Sequence, residues 1–292
     1  MRSAAAALRD VTTLSLAAPA PPQVCTLTTH AVLRVGDRVR EYSTLWRVRK
    51  SLRQVTPDGG GVFDVATLAR VQTPVQGAEQ LTADLAALLH TLVVETDRTG
   101  RVVRVVNKPQ LRAQWANQVL PGLQKKYRGD PEVPPALLAQ LGHVLDGDDA
   151  LEEVLAESPE YGVLFPPLYG RPLSTDVPVA GTAVLAQFVG AFDLPLRTEA
   201  RLVPAGAGAA GTAAVQVVGE VEAARYPAAD VRRALSALFD QPRLDARVAA
   251  LHQETYAFGP RHELVEAARH TRGEIQGVGG RQLTVLLHTR DQ

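Results

Sequence analysis

The residue spacings with the clearest chemical meaning lie in the C-terminal third of the chain. Gly206-Ala207-Gly208-Ala209-Ala210-Gly211 fits G-x-G-x-x-G. In a dinucleotide site those glycines open a helix whose N-terminus binds pyrophosphate. Here Val215 to Val221 alternate as a strand does, so the glycines read as an Ala/Gly hairpin loop and not as a phosphate cradle. His262, Glu266 and His270 recur every four residues. On a helix they would share a face, yet the outer two would lie ~12 Å apart, too wide for one ion. Glu266 also stands where an HExxH zinc signature needs its second histidine. Solvent-facing polar residues are the expectation.

Asp146, Asp148, Asp149, Glu152 and Glu153 gather acids without the alternating ligand positions of a calcium loop. Their role is read as electrostatic, at a helix start, with Asp149 and Glu152 spaced as a capping box. Cys25 and His30 fall on opposite faces of a strand and cannot act as a dyad. There is no G-x-S-x-G elbow and no G-x-x-x-x-G-K loop. No catalytic residue, metal ligand or cofactor site is assigned.

Two constellations point to binding. The segment 34–53 sets seven cations against Asp37 and Glu41, with Tyr42 and Trp46 interleaved. Arg38, Arg40, Tyr42, Trp46, Arg47 and Arg49 are its candidate partner-binding residues, because Arg and Trp concentrate at protein interfaces. A solvated sheet face reads equally from the same pattern, and single-stranded nucleic acid is the weaker reading. The second set is Leu111, Trp115, Val119, Leu123 and Tyr127, one every four residues, joined by Phe165 and Tyr169. It reads as core between helix and sheet, or as the wall of an apolar-ligand cavity.

The elements that must position these residues follow from periodicity. Residues 25–107 carry β patterning broken by turns at Gly36-Asp37, Pro57 to Gly61, and Asp97-Arg98-Thr99-Gly100. Asn107 and Pro109 then open a helix that Pro121 should kink or end. Helix continues from Pro134-Pro135 to Asp146-Gly147 and from Ala150 to Glu157, and Tyr161 to Tyr169 reads as an extended buried segment. From 176 onward strands return, with one short helix at Ala229 to Phe239. The expected fold class is α+β, mostly antiparallel sheet. Two β-rich halves, 25–107 and 176–290, flank a helical insert at 108–170, after an N-terminal tail of residues 1–24, and the whole is expected to form one compact unit. Strands do not alternate singly with helices, which excludes a doubly wound parallel sheet.

Composition sets the outer limits. The 292 residues are 46% hydrophobic and 21% charged, enough for a sizeable core. Only 5% are aromatic, so that core must be mostly Val, Leu and Ala. Net charge is zero, so no nucleic-acid partner is expected. One cysteine excludes an intramolecular disulfide. Four lysines among 31 basic residues, with abundant alanine, read as GC-rich coding and a bacterial source. Arg9 and Asp10 interrupt the alanine run that would make a secretory leader, so a cytoplasmic location is expected, with export as the alternative. No run reaches the length of a membrane span. The functional expectation is a non-catalytic component of a protein assembly. The alternatives are a carrier of an apolar ligand in a half-barrel cavity, and an enzyme with a dispersed site.

Overall fold

The computed structural model describes residues 11–16, 21–73, 78–130, 133–189, 192–204, 212–239, 247–275 and 278–289. In chain order the elements are β1 (Val11–Thr13), β2 (Gln23–Val35), β3 (Arg38–Val55), β4 (Gly61–Thr73), α1 (Ala78–Leu88), β5 (Thr91–Thr96) and β6 (Val102–Val105). A helical block follows: α2 (Lys108–Gln114), a π-helical turn (Trp115–Val119), α3 (Leu120–Lys126), α4 (Pro135–Asp146), α5 (Ala150–Glu157) and α6 (Pro159–Leu164). The remainder is β7 (Pro172–Ser174), β8 (Val179–Val189), β9 (Phe192–Val203), β10 (Ala213–Val221), α7 (Ala228–Phe239), β11 (Ala249–Phe258), β12 (Leu264–Ile275) and β13 (Val278–Thr289).

The strands confirm a mostly antiparallel, sheet-dominated α+β fold. The two β-rich stretches are not separate sheets. Eleven strands form one sheet in the order β6-β5-β4-β3-β2-β13-β12-β11-β10-β9-β8. The join is the antiparallel pair of β2 with β13, whose register runs from Val24↔Thr289 to Val35↔Val278. Alternation along each strand decides which face is covered. On β3, Thr44, Trp46, Val48 and Lys50 are buried, while Leu45, Arg47 and Arg49 between them are exposed. The helical block packs on that buried face, and α6 crosses it against β2, β12 and β13. A single core runs from Cys25 and Leu27 through Trp46 and Val48 to Tyr161, Leu164 and Phe258. A smaller cluster joins Val231 and Leu235 of α7 to Ile275 and Val278.

Several local features depart from the sequence reading. Part of the expected tail is structured: β1 pairs with β7, and Leu14 is fully buried, its carbonyl accepting from the Gly170 N–H. A helix, α1, stands before β5 inside the stretch read as β. Pro121 does not break its helix. The π-turn before it, closed by Leu120 N–H to the Trp115 carbonyl, widens the coil just where proline lacks a donor. A repeat of four overshoots the 3.6-residue α-turn, and the wider π-turn absorbs the excess. That keeps Leu111, Trp115 and Leu123 buried along one side. Tyr161 to Leu164 belong to the short helix α6 and are not extended. Ser158 caps it by accepting from Tyr161 N–H at 3.2 Å.

The turn at 97–100 forms as its residues dictate. Gly100 has φ +93°, and its N–H donates to the Asp97 carbonyl at 3.0 Å. The Asp97 carboxylate accepts from the Thr99 and Arg101 N–H groups and from the Thr99 hydroxyl. The capping box does not form. Asp149 makes no side-chain cap. Glu152 is buried and turns outward from its helix to accept from Val105 N–H at 2.8 Å and from Lys108 Nζ at 2.5 Å. Among the described residues no helix is long and apolar enough to cross a membrane.

Candidate functional site

A cavity of about 750 Å³ lies between the covered face of the sheet and the helical block. Strands β8 to β12 supply one wall, and the end of α5, the middle of α6, four residues between 165 and 171 and the β5–β6 turn supply the other. The C-terminal strands project inward side chains at every second position. These are Thr198 and Ala200 on β9, Val217 on β10, His252 and Glu254 on β11, and Arg269 on β12. Across the cavity stand Tyr161, Gly162, Phe165 and Leu168. The space is therefore partly apolar and partly charged.

Its charged part is an organised network. Arg269 Nε donates to Glu254 Oε1 at 2.6 Å, and Tyr256 Oη donates to Glu254 Oε2 at 2.9 Å. His252 Nε2 lies 3.2 Å from Glu254 Oε1, and its Nδ1 lies 2.9 Å from Thr271 Oγ1. The sheet register builds this cluster, because Glu254 is opposite Arg269 and His252 is opposite Thr271. Burial alone would raise the Glu254 carboxyl. The Arg269 charge and the hydrogen bonds from His252 and Tyr256 outweigh it and hold the group down at about 2. Burial and the neighbouring carboxylate push the Tyr256 hydroxyl well up.

Helix α6 is fitted to this network. A Cβ on Gly162 would meet Arg269 Nη1 at 2.6 Å, so glycine is what lets the helix lie against the guanidinium. Beside it, Tyr161 packs on Trp46 with ring centroids 5.2 Å apart. Farther along the same helix the Leu164 carbonyl accepts from Lys50 Nζ at 2.7 Å. Lys50 lies over the Phe165 ring at 4.2 Å. Burial lowers its ammonium to about 8.

Thr271, His252 and Glu254 stand in the order hydroxyl, imidazole, carboxylate, which is the order of a nucleophilic relay. The chemistry does not follow. Thr271 is not on the cavity wall. Glu254, bound to Arg269 and held near 2, is a weak base at neutral pH. The arrangement is a satisfied polar wall that can orient a bound molecule.

The residues chosen from sequence are distributed otherwise. Trp46 is buried, donating from Nε1 to Thr67 Oγ1 at 3.0 Å. Arg47 and Arg49 lie on the uncovered face, whereas Arg38, Arg40 and Tyr42 share the parity of Trp46 and lie exposed toward one end of β3. Strand alternation thus splits these six residues and makes no single patch. Leu111, Trp115, Leu123 and Tyr127 are buried, and Val119 is partly buried, in the core of the helical block. Of the apolar set only Phe165 lines the large cavity, and Tyr169 lines a separate space of about 40 Å³.

The other motifs do not converge. The glycine motif 206–211 lies outside the described residues, and the strand β10 follows it. His262 is in a turn with φ +60°, its Nδ1 accepting from Ser15 N–H at 3.1 Å, while Glu266 and His270 are on β12. Cys25 is buried and His30 exposed on opposite faces of β2. Burial pushes the Cys25 thiol up. No group of three or more metal-ligating side chains forms among the described residues.

The residues missed were His252, Glu254 and Tyr256. The signal was available: three polar groups at alternate positions on a strand ending in Phe258 all face one side. Their partner Arg269 requires knowledge of the β11–β12 register.

No family model matches the chain, and no curated protein matches it. Among solved structures, it is similar to a chain described as an outer membrane lipoprotein-sorting protein domain from Vibrio parahaemolyticus, at 9% identity over 92% of this chain and 87% of that one, TM-score 0.23. A DUF1329 family protein from Desulfovibrio piger aligns at 10% identity over 92% and 87%, TM-score 0.21. A LolA superfamily protein from Nitrosomonas europaea aligns at 8% identity over 94% and 89%, TM-score 0.17. Likenesses at these scores carry neither fold nor function across.

Proposed function

We propose that this chain is a carrier that holds an apolar or amphipathic molecule between the C-terminal part of its sheet and the helical block. One observation carries the reading: a cavity of about 750 Å³ on the covered face of the sheet. That volume lies in the range of small-molecule sites, and a few fixed polar groups among apolar walls are their usual lining. The sequence favoured an assembly component over a carrier. The cavity reverses that order, since the six Arg and aromatic residues behind the assembly reading are divided by strand alternation.

The test is saturable binding of an environment-sensitive naphthylamine dye, followed by its fluorescence. Wild-type protein should bind at micromolar concentration. Ala200→Phe places a ring into the cavity and should abolish most of the enhancement. Leu287→Phe, on the uncovered face, should leave it intact. Folded wild-type protein that gives no saturable signal, or that loses nothing with Ala200→Phe, overturns the carrier reading.

A further inference from the structure

On the cavity wall two polar side chains without partners meet across a glycine. Arg171 is half-buried and makes no hydrogen bond or ion pair with any described residue. Three other cations of the wall differ: Arg269 is bound to Glu254, Arg225 to Glu222, and Arg197 stands 3.6 Å from Glu220, while Arg101 is exposed. Thr198 is 8% exposed, and its hydroxyl likewise has no partner. Gly181 lies between them: a Cβ there would be 2.9 Å from Thr198 Oγ1 and 3.5 Å from Arg171 Nη1. The missing side chain leaves a notch with a guanidinium on one side and a hydroxyl on the other.

Neither group is sealed from the cavity, so each is free to exchange cavity water for an oxyanion, and a charge-assisted hydrogen bond is stronger than the neutral one it replaces. Arg supplies a planar fork of donors and Thr a third, the donor set that carboxylate and phosphate oxygens take. The apolar remainder of the wall, including Phe165, Leu168 and Val217, begins beside it. Building on the carrier reading, we propose that Arg171 and Thr198 form a head-group site for a single-chain anionic amphiphile. Its carboxylate or phosphate sits in the Gly181 notch and its chain runs along the apolar wall.

Displacement of the naphthylamine dye tests this with two competitors of equal chain length, decanoate and decanol, at pH 7. Wild-type protein should bind decanoate at least about tenfold more tightly than decanol, as expected for charge-assisted hydrogen bonds. Arg171→Gln should bring decanoate down to the affinity of decanol and leave decanol unchanged. Arg171→Lys should keep part of the preference, and Gly181→Val, which fills the notch, should remove it. Arg49→Gln on the uncovered face should keep all of it. An unchanged urea midpoint shows that each variant is folded. If both competitors bind equally to the wild type, the head-group site is wrong and the carrier reading stands. If neither displaces the dye and the dye itself does not bind, both fail. Inorganic phosphate or acetate displacing the dye as well as decanoate does would identify a small-anion site and overturn the amphiphile.

Discussion

Removing Arg269 gives the sharpest test of the polar wall. In the folded protein Glu254 is held at about 2 against an ordinary 4.5, with Arg269 the largest of the favourable influences. At about 1.4 kcal/mol per tenfold change in proton affinity, that depression contributes about 3 kcal/mol of stability above pH 5. The sign follows from the direction. A carboxyl lowered in the folded state stabilises above its unfolded value, and the contribution fades as pH falls from 4.5 toward 2. Arg269→Met leaves the carboxylate buried with only His252 and Tyr256 as donors, so desolvation prevails and the group moves up. At pH 7 the variant should lose about 3–5 kcal/mol, the usual cost of breaking a buried pair from one side. On acidification to pH 4.5 the deficit should shrink, since protonation removes the buried charge. Glu254→Gln added to Arg269→Met should recover at least half of the loss at pH 7. Urea unfolding followed by the fluorescence of Trp46 and Trp115 measures each quantity. A loss below about 1 kcal/mol, or one that stays constant from pH 7 to 4.5, refutes the reasoning.

Other outcomes follow from the same geometry. Gly162→Ala should cost about 1–3 kcal/mol in urea unfolding, because its methyl would displace Arg269, which is pinned to Glu254. Lys108→Met should cost about 3–5 kcal/mol by stranding Glu152, whose side chain is 6% exposed, whereas Lys126→Ala, which removes a half-exposed cation from Asp84, should cost under about 1 kcal/mol. Lys50 is lowered in the folded state, so its charge opposes folding below pH 8 and this cost is relieved as pH rises. Wild-type stability should therefore climb between pH 8 and about 9, before ionisation of the unfolded Cys25 thiol opposes it, and Lys50→Met should flatten that climb.

Much of the local structure was legible. Alternation located β11 to β13 within a few residues, and Asp97 with Gly100 specified their turn through short-range hydrogen bonds alone. The period of four fixed the buried side of the helix at Leu111, Trp115 and Leu123, though not the π-turn that accommodates Pro121. What escaped depends on distant residues. Whether Glu152 caps its own helix or turns to Lys108 is decided by what packs beside it. That Glu254 opposes Arg269 follows from the strand register, and nothing local says that β2 and β13 are neighbours. The cavity was illegible for the same reason, being space left between elements whose separation no periodicity encodes.

The β2–β13 join also shapes how the molecule must come into being. Thr29 and Thr284, whose hydroxyls lie 3.2 Å apart at this seam, are separated by 255 positions. During synthesis the first hairpin emerges long before its neighbour exists, with Leu27 and Trp46 ready to adhere elsewhere and an unpaired ladder beside them. Maturation should be slow, because so distant a closure carries a large entropic barrier. Nascent chains halted before β13 should be the species that aggregates or recruits chaperones.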